Sequence, residues 1–189
     1  LLSQVDSSIG GKNGINTKHG KNLVGTFYQP KEILIDISIL NSLPKKEMRS
    51  GYSEIIKHAL IKDYSFFCWL EKNAHKLLNL NKSILEEAIY RSIMIKLFYV
   101  KKDEKETLLN KNSRAMLNFG HTIGHAIESF YDYQKFNHGE AISIGMITEA
   151  KISNHLGLLS SKDLEKIIIH FKKCKLKTYD KIIKDKKLL

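Results

Sequence analysis

The segment from Arg114 to Glu140, RAMLNFGHTIGHAIESFYDYQKFNHGE, constrains the fold of this chain more than any other. At about 100° per helical residue, its polar and apolar side chains fall on opposite sides of one helix. The polar side carries Arg114, Asn118, His121 and His125, and the apolar side carries Met116, Phe119, Ile123 and Ile127. The pattern predicts an amphipathic helix whose polar face bears groups capable of proton transfer and metal binding.

The histidines of this segment suggest a metal site. His121 and His125 are four residues apart, a spacing at which two imidazoles on one helix can approach the same ion, and His138 follows after a polar loop. The same spacing also occurs on ordinary solvated helix faces. Gly120 and Gly124 each cost about 1 kcal/mol in a helix interior, and such residues are tolerated where another group must pass close by. We therefore expect another part of the protein to approach this helix closely.

Charge alone does not indicate a nucleic-acid partner. The formal charge of the 189-residue chain is +11, but the only arginines among its basic residues are Arg49, Arg91 and Arg114, and the lysines are spread over the whole length. Nucleic-acid binders usually concentrate arginines and exposed aromatic residues on one strip. A phosphorylated small substrate requires only a few of these charges.

Cys68 and Cys174 form neither a disulfide framework nor a CxxC pair, which favours a reducing, cytoplasmic compartment. No stretch approaches the roughly 20 apolar residues that span a bilayer, and residues 1–11 lack the features of a signal peptide. We therefore expect no membrane association. The chain begins without Met and ends on DKKLL, so we expect it to be part of a longer protein.

The periodicity predicts a mainly α-helical fold. Residues 1–25 are rich in Gly, Ser and Asn and predict a loop with short extended pieces. The segment Glu32–Leu40, EILIDISIL, predicts the clearest strand. Helices are predicted over 46–62, 64–78, 82–104, the segment that begins at Arg114, the run from His138 to Gly157, and 161–173 with Ser161 as its cap. The basic segment Lys173–Lys187 predicts a solvated tail.

Further charged residues allow two interpretations each. Glu54 and Lys57 lie three residues apart on one helix face, which is typical of a surface ion pair. Lys96 shares a stripe with apolar residues, so its ammonium group either extends to water along its stem or is held inward to meet an anion. The glycine-rich loop that carries Asp6, Lys12, Lys21 and Asn22 could hold a phosphate, although its pattern alone favours an ordinary surface loop.

Together these residues suggest a catalytic metal centre. Glu54 and two of the three histidines would supply a carboxylate and two imidazoles to one ion, which leaves a fourth position open as in catalytic zinc sites. Spacing does not decide which two histidines bind. The nearby cations Lys12, Lys57, Lys96 and Arg114 would hold carboxylate or phosphate groups. The predicted ligand is small, hydroxylated and strongly anionic.

Six short segments of the chain follow one another in order: LLSQVDSSIGGK, GKNLVGTFYQP, SGYSEIIKHALI, RAMLNFGHTIGHAIE, HGEAISIGM and DKK. In order and spacing they resemble the 3-dehydroquinate synthase family of the shikimate pathway. The resemblance implies part of a two-domain enzyme. Residues 1–43 would end an N-terminal α/β dinucleotide-binding domain, and residues 44–189 would form most of a helical zinc- and substrate-binding domain.

The resemblance also implies roles for individual residues. Three of them, Glu54, His121 and His138, match the zinc ligands, and His125 then matches a histidine that contacts the substrate. Other substrate-pocket positions are matched by Asp6, Lys12, Asn22, Lys57, Lys96, Arg114 and Asn118, with Glu106 as a nearby acid and Lys186 as a looser match. Near the nicotinamide cofactor the matches are Asp6, Lys21 and Ser42, where Ser42 replaces the more usual Thr.

The reaction implied by the resemblance converts 3-deoxy-arabino-heptulosonate 7-phosphate to 3-dehydroquinate and phosphate. It uses NAD and Zn2+, which Co2+ can replace, and proceeds by transient oxidation, phosphate elimination, re-reduction and aldol closure in a cytoplasmic homodimer. A 2-deoxy-scyllo-inosose synthase-like cyclase and a glycerol dehydrogenase-type enzyme are the alternatives. Because the glycine-rich pyrophosphate turn of the family is not in this sequence, we expect the chain alone to bind zinc but to turn over poorly or not at all.

Overall fold

Helices make up most of the chain in the computed structural model, which describes residues 1–17 and 20–185 and only the backbone of residues 16 and 20–23. The helices are α1 (Lys45–Lys62), α2 (Tyr64–Leu78), α3 (Lys82–Lys102), α4 (His121–Phe130), α5 (His138–His155) and α6 (Ser161–Lys173). Two strands, β1 (Lys12–Thr17) and β2 (Gly20–Phe27), form an antiparallel hairpin. The predicted mainly α-helical fold class is confirmed.

Side-chain caps set the starts of several helices. The carboxylate of Asp63 accepts a hydrogen bond from the backbone of α2, and the amide oxygen of Asn81 does the same for α3. Asn137 forms a capping box at the start of α5. The cap of α6 is Ser160 rather than the predicted Ser161, and its hydroxyl accepts a hydrogen bond from the backbone N–H of Asp163. These caps satisfy N–H groups that a helix leaves unpaired in its first turn.

Helix α1 lies at the centre of the molecule and packs against α2, α3 and α5. Every residue from 50 to 59 is buried, which includes both the apolar and the polar side of the helix. The interpretation of Glu54 and Lys57 as a surface pair is therefore wrong, because their side chains are 0% and 1% exposed. Charged groups in such a position require partners close by.

The predicted continuous helix through Arg114 and His125 is interrupted. Arg114–Asn118 forms a 3-10 turn, Gly120 has a φ of +80°, and α4 begins only at His121. The expected close approach is confirmed, since a Cβ atom on Gly145 of α5 would lie 2.0 Å from the carbonyl oxygen of Gly120. The backbones of α4 and α5 thus meet where α4 begins, which fixes His121 against α5.

The strand predicted over Glu32–Leu40 is wrong. The described backbone of residues 31–37 forms no strand, and Ser38–Ser42 forms a 3-10 turn. A β-strand is stabilised by hydrogen bonds to a neighbouring strand, and the described strands pair only with each other. The regular extended structure instead lies in the hairpin, within the region predicted as a loop with short extended pieces, and a π-helical turn, Ser3–Ser7, precedes it.

The segment after α6 is not the solvated tail that its charge predicted. Leu176 and Ile182 are buried, and Ile182 packs in a cluster with Ile127 of α4 and Ile144 of α5. Asp180 accepts a hydrogen bond of 2.8 Å from the hydroxyl group of Tyr131. This segment therefore packs against α4 and α5 and stabilises their pairing. No helix in the described part of the chain is both long and apolar enough to cross a membrane.

Candidate metal and anion site

A cleft of about 670 Å³ opens between the β1–β2 hairpin and helices α3, α4 and α5. It brings together many of the residues that the sequence singled out. The predicted site residues along its wall are Asp6, Lys12, Lys96, Arg114, Asn118, His121, His125 and His138. A recess of about 110 Å³ shares several of these residues and adds Lys57. One cleft therefore combines imidazoles, a carboxylate and several cations.

At one end of the cleft, Glu54 faces two histidines. Glu54 Oε1 lies 3.9 Å from His121 Nε2 and 3.7 Å from His138 Nε2. This oxygen is buried and has no hydrogen-bond partner among the residues that the structure describes. A buried carboxylate oxygen without a partner is costly unless a cation compensates for it. The three side chains therefore fit a metal ion, and a carboxylate with two imidazoles is a donor set that suits zinc.

Hydrogen bonds orient both imidazoles of this group. The Nδ1–H of His121 donates to the carbonyl oxygen of Phe119 at 3.2 Å, and the Nδ1–H of His138 donates to Glu128 Oε1 at 3.1 Å. Both Nε2 atoms are consequently left to face Glu54. Burial, together with the charge of Lys57, lowers the pKa of His121 to about 3. His121 is therefore neutral at physiological pH, as metal binding requires.

A second set of possible ligands overlaps the first. His125, Glu128 and His138 also place one ligand atom each within 4.8 Å of one another. His125 is more exposed, with 48% of its side chain accessible, and its Nε2 lies 3.9 Å from Glu128 Oε2. Because both sets use His138, the assignment of the ligands remains a prediction.

Lys57 and Lys96 are held inward by carboxylates. Lys57 forms an ion pair with Glu54, and Lys96 lies 2.5 Å from Asp6 Oδ1. The interpretation in which Lys96 extends to water is wrong, because 7% of its side chain is exposed. Burial alone would raise the pKa of Asp6, but the charges of Lys57 and Lys96 outweigh it and lower that pKa well below its usual range. Asp6 is therefore ionised and holds Lys96 in the cleft.

Glu106 contacts two of the residues that line the cleft. It forms an ion pair with Lys12, and its Oε1 accepts a hydrogen bond of 2.8 Å from Asn118 Nδ2. Burial would raise the pKa of Glu106, but these two hydrogen bonds lower it. Arg114 is buried beside them and donates from Nη1 to the carbonyl oxygen of Glu104 at 2.8 Å. These contacts form a network of charges, and its cations can bind an anion by exchanging their present partners for it.

Glu54 and Glu106 contact residues of the cleft without lining it themselves, and four further predicted site residues are not placed at the cleft. Ser42 is exposed, its hydroxyl donates to the carbonyl oxygen of Ile39 at 3.1 Å, and it is not among the described residues that line the cleft. The side chains of Lys21 and Asn22, and the whole of Lys186, lie outside the described part of the structure. Their predicted roles remain predictions.

Sequence reasoning missed Glu128 and Phe27. Phe27 of β2 lines the cleft, and its ring centroid lies 5.9 Å from Arg114 Cζ, where the guanidinium group can stack on an aromatic face. Glu128 follows His125 by three residues, a helical spacing that places the two side chains on one face. That spacing could have identified Glu128, whereas the position of Phe27 depends on how the hairpin folds over the helices.

Fold and cleft together define a helical domain built around a candidate metal centre with an adjoining anion site. Among the solved structures that share this fold are two synthases. One is 2-epi-5-epi-valiolone synthase from Streptomyces hygroscopicus subsp. jinggangensis 5008 with NAD+ and Zn2+ bound, with a TM-score of 0.88 and 27% identity over 96% of this chain and 49% of that one. The other is 2-deoxy-scyllo-inosose synthase complexed with carbaglucose-6-phosphate, NAD+ and Co2+, with a TM-score of 0.65 and 30% identity over 92% of this chain and 46% of that one.

Sequence comparison identifies the family. The model of the 3-dehydroquinate synthase C-terminal domain matches residues 51–189, and that of the N-terminal domain matches residues 1–50. The chain belongs to the 3-dehydroquinate synthase family, which confirms the resemblance seen in its motifs. It is 51% identical over 167 residues to the 3-dehydroquinate synthase of Citrifermentans bemidjiense and 52% identical over 167 residues to that of Thermodesulfovibrio yellowstonii. These alignments cover 88% of this chain and 45% of each relative.

Proposed function

We propose that this chain provides the metal- and substrate-binding part of a 3-dehydroquinate synthase. The overall reaction would convert 3-deoxy-arabino-heptulosonate 7-phosphate to 3-dehydroquinate and phosphate, with NAD and Zn2+ as cofactors and Co2+ as a possible substitute. The observation that carries the proposal is the buried Oε1 of Glu54, which lacks a hydrogen-bond partner in the described structure and faces the Nε2 atoms of His121 and His138. The family membership and the names of the relatives support it.

In this proposal Glu54, His121 and His138 hold the metal. Bound in the protein, Zn2+ supplies Lewis-acid polarisation and NAD supplies reversible two-electron oxidation. Lys57 is paired with Glu54 and holds that carboxylate in place. The remaining residues of the cleft therefore have to bind the anionic groups of the substrate and transfer protons.

The cations of the cleft are assigned to the phosphate and carboxylate groups of the substrate. Arg114 can bind an oxyanion through two N–H groups at once, and Lys12 can leave Glu106 to meet a phosphate. Lys96 lines the same cleft, where its ion pair with Asp6 holds it in place. Because Arg114 and Lys96 are already held at the cleft before a ligand arrives, they stabilise developing negative charge without large reorganisation, whereas Lys12 exchanges Glu106 for the ligand.

His125 is assigned to proton transfer. It is the most exposed of the three histidines by side-chain accessibility, at 48%, and it lines the cleft. Its Nε2 can accept a proton from the substrate, and the carboxylate of Glu128, at 3.9 Å, stabilises the imidazolium that results. Asn118 lines the same cleft and contributes a side-chain amide, whose carbonyl oxygen can accept while its N–H donates to Glu106.

The wider organisation of the protein is also part of the proposal. Residues 1–43 would belong to the end of the α/β dinucleotide-binding domain and residues 44–189 to the helical domain, in a cytoplasmic homodimer. The family matches over residues 1–50 and 51–189 support two such parts, with a boundary seven residues later than the proposed one. The chain spans 45% of the length of the curated relatives named above, so the remainder of the NAD site is expected in sequence beyond this chain.

A related sugar-phosphate cyclase is the second candidate, favoured by the two solved structures that share the fold. A glycerol dehydrogenase-type enzyme would not need the cluster of inward lysines and would accumulate NADH. The deciding experiment measures phosphate release from the heptulosonate phosphate by this chain within a protein of its relatives' length. We expect stoichiometric release without net NADH, loss of activity with a chelator and recovery with Zn2+. A different product, or accumulation of NADH, would contradict the proposal.

A further inference from the structure

Glu128 occupies an unusual position between two histidines of the cleft. It lies on α4 and is 4% exposed. Its Oε1 lies 3.1 Å from His138 Nδ1, and its Oε2 lies 3.9 Å from His125 Nε2. One buried carboxylate therefore faces both a candidate metal ligand and the candidate proton-transfer group.

The two nitrogens of His138 have different surroundings. At 3.1 Å, Nδ1 is within hydrogen-bond distance of Glu128, and an ionised carboxylate can only accept, so Nδ1 carries the proton. The lone pair of the neutral ring then resides on Nε2, which lies 3.7 Å from Glu54 Oε1. In this tautomer Nδ1 cannot bind a metal. The geometry thus favours Glu128 as a hydrogen-bond acceptor for His138 and not as a metal ligand itself.

The backbone at His138 is anchored, but the backbone does not orient the ring. Gly139 lies so close to α1 that a Cβ atom on it would be 2.4 Å from Ser50 Cα, and its N–H donates to Ser50 Oγ at 3.0 Å. These contacts fix the main chain at the start of α5. The imidazole can still rotate about its side-chain bonds, and the hydrogen bond to Glu128 restrains this rotation in addition to the ring contacts with His121 and His125.

We propose that Glu128 is a positioning residue that holds the His138 imidazole with Nε2 directed at the metal site. The inference rests on the proposed function, because it takes Glu54, His121 and His138 as the ligands. Carboxylates that accept the second N–H of a metal-binding histidine set the tautomer and orientation of the ring. Through its other oxygen, the same carboxylate couples His138 to His125.

The test compares Glu128→Ala and Glu128→Gln with the parent chain. Zn2+ affinity is measured by competition with a chromophoric chelator, and the ligand geometry is followed by the absorption spectrum of bound Co2+. We expect Glu128→Ala to weaken binding about 10- to 100-fold at unchanged stoichiometry and to alter the Co2+ spectrum. Glu128→Gln retains a carbonyl oxygen that can accept from Nδ1–H, so it should weaken binding by about threefold or more, but less than Ala does.

Asp180→Asn is the matched control. Asp180 accepts hydrogen bonds from Tyr131 and Lys135 and so supports the loop between α4 and α5, and among the described residues it has no hydrogen bond to either histidine. Its variant should leave the affinity and the Co2+ spectrum unchanged. An equal effect of Asp180→Asn would show that loosening of the loop is sufficient, which would overturn the specific role of Glu128. Circular dichroism verifies folding, and the near-isosteric Gln variant decides if the Ala variant does not fold.

Other results distinguish this inference from the proposed function. Unchanged affinity and an unchanged Co2+ spectrum in both Glu128 variants would overturn the positioning role alone. Complete loss of binding in both, with retention in Glu54→Gln, would identify Glu128 as a ligand and contradict both proposals. A parent chain that binds no Zn2+ would overturn the metal site and, with it, the role of Glu128.

Discussion

Asp6 and Lys96 are 90 residues apart in sequence, yet Asp6 Oδ1 and Lys96 Nζ lie 2.5 Å from each other. Asp6 belongs to the Ser3–Ser7 turn and Lys96 to α3, so the pair joins the first turn of the chain to the helical core. The charge of Lys57 on α1 also acts on Asp6, and Lys57 is in turn paired with Glu54. Opposite charges therefore alternate from the anion cleft to the candidate metal site.

Removal of Lys96 should destabilise the fold. Breaking a fully buried ion pair costs about 3–5 kcal/mol, because one charge is left uncompensated. Asp6 is not fully buried in the parent chain, since 22% of its side chain is exposed, and in Lys96→Met it keeps the attraction of Lys57. We therefore expect a smaller loss of about 1–3 kcal/mol. Urea denaturation measures the free energy of unfolding.

A double-mutant cycle isolates the pair itself. Asp6→Asn combined with Lys96→Met should recover part of the loss, since neither charge is then left alone, with a coupling of about 0.5–3 kcal/mol. Lys102→Met, at an exposed lysine of the same helix, is the control and should change stability by less than about 0.5 kcal/mol. Strictly additive effects of the two substitutions would contradict the pairing.

The sequence was sufficient to predict the helices because their hydrophobic periodicity is local. It could not predict that charged residues such as Glu54 and Lys57 are buried, because their burial depends on the other helices that surround α1. Helical spacing alone likewise treated Arg114 and His125 as parts of one helix. The interruption at Gly120 follows from its contact with α5, which is a tertiary feature.

Family motifs predicted more of the candidate site than residue patterns did. Spacing suggested His121 and His125 as the metal pair, whereas the motif match and the orphaned oxygen of Glu54 both favour His121 with His138. Neither approach identified Glu128, because its contact with His138 requires the loop between α4 and α5 to fold back. Composition also failed at Glu32–Leu40, where residues typical of strands predicted a strand. A strand needs a neighbouring strand to pair with, and composition does not supply one.

The two histidines of the HxxxH pair should behave differently on substitution. His121→Ala removes an imidazole that faces Glu54 and should abolish stoichiometric Zn2+ binding, measured by metal analysis after gel filtration. His125→Ala should retain the metal, because His125 lies 48% exposed on the cleft wall, and in a protein of full family length it should lose turnover. Equal loss of zinc in both variants would instead support the pair suggested by spacing.

Glu149 should act as a cap for α4 although it lies on α5. Its Oε2 accepts a hydrogen bond of 2.7 Å from the N–H of Gly120, which has no side chain with which to cap the helix. We expect Glu149→Ala to destabilise the protein by about 1 kcal/mol and to weaken Zn2+ binding, because His121 is the first residue of α4. Thermal unfolding and chelator competition measure the two effects.

Thr148→Ala is the control for this substitution. It removes a side-chain hydrogen bond to the carbonyl oxygen of Ile144 on the same helix and should leave Zn2+ affinity unchanged. If Glu149→Ala lowered stability but not affinity, the cap would be structural and would not transmit its effect to His121.

Stability should also fall in mild acid because of His170, which is 2% exposed and hydrogen-bonded through Nε2 to the hydroxyl of Tyr52 at 3.0 Å. Burial lowers the pKa of His170 from 6.5 to about 4, with further contributions from Lys173 and Lys166 that the charge of Glu71 opposes. Below pH 6.5 the unfolded chain takes up a proton that the folded chain does not. The free energy of unfolding should therefore fall by about 1.4 kcal/mol per pH unit until the pH nears 4.

His170→Gln tests this linkage, because the Gln side chain can still bond to Tyr52 but does not titrate. Urea denaturation at pH 7.5 and pH 5.5 should show that the parent chain loses about 1 kcal/mol more than the variant over this interval. His155→Gln, at an exposed histidine near the end of α5, should retain the parent's pH dependence. Because buried His58 and His121 have pKa values lowered to about 3, some acid sensitivity should persist in the His170 variant. Identical slopes for the parent chain and His170→Gln would show that His170 does not contribute.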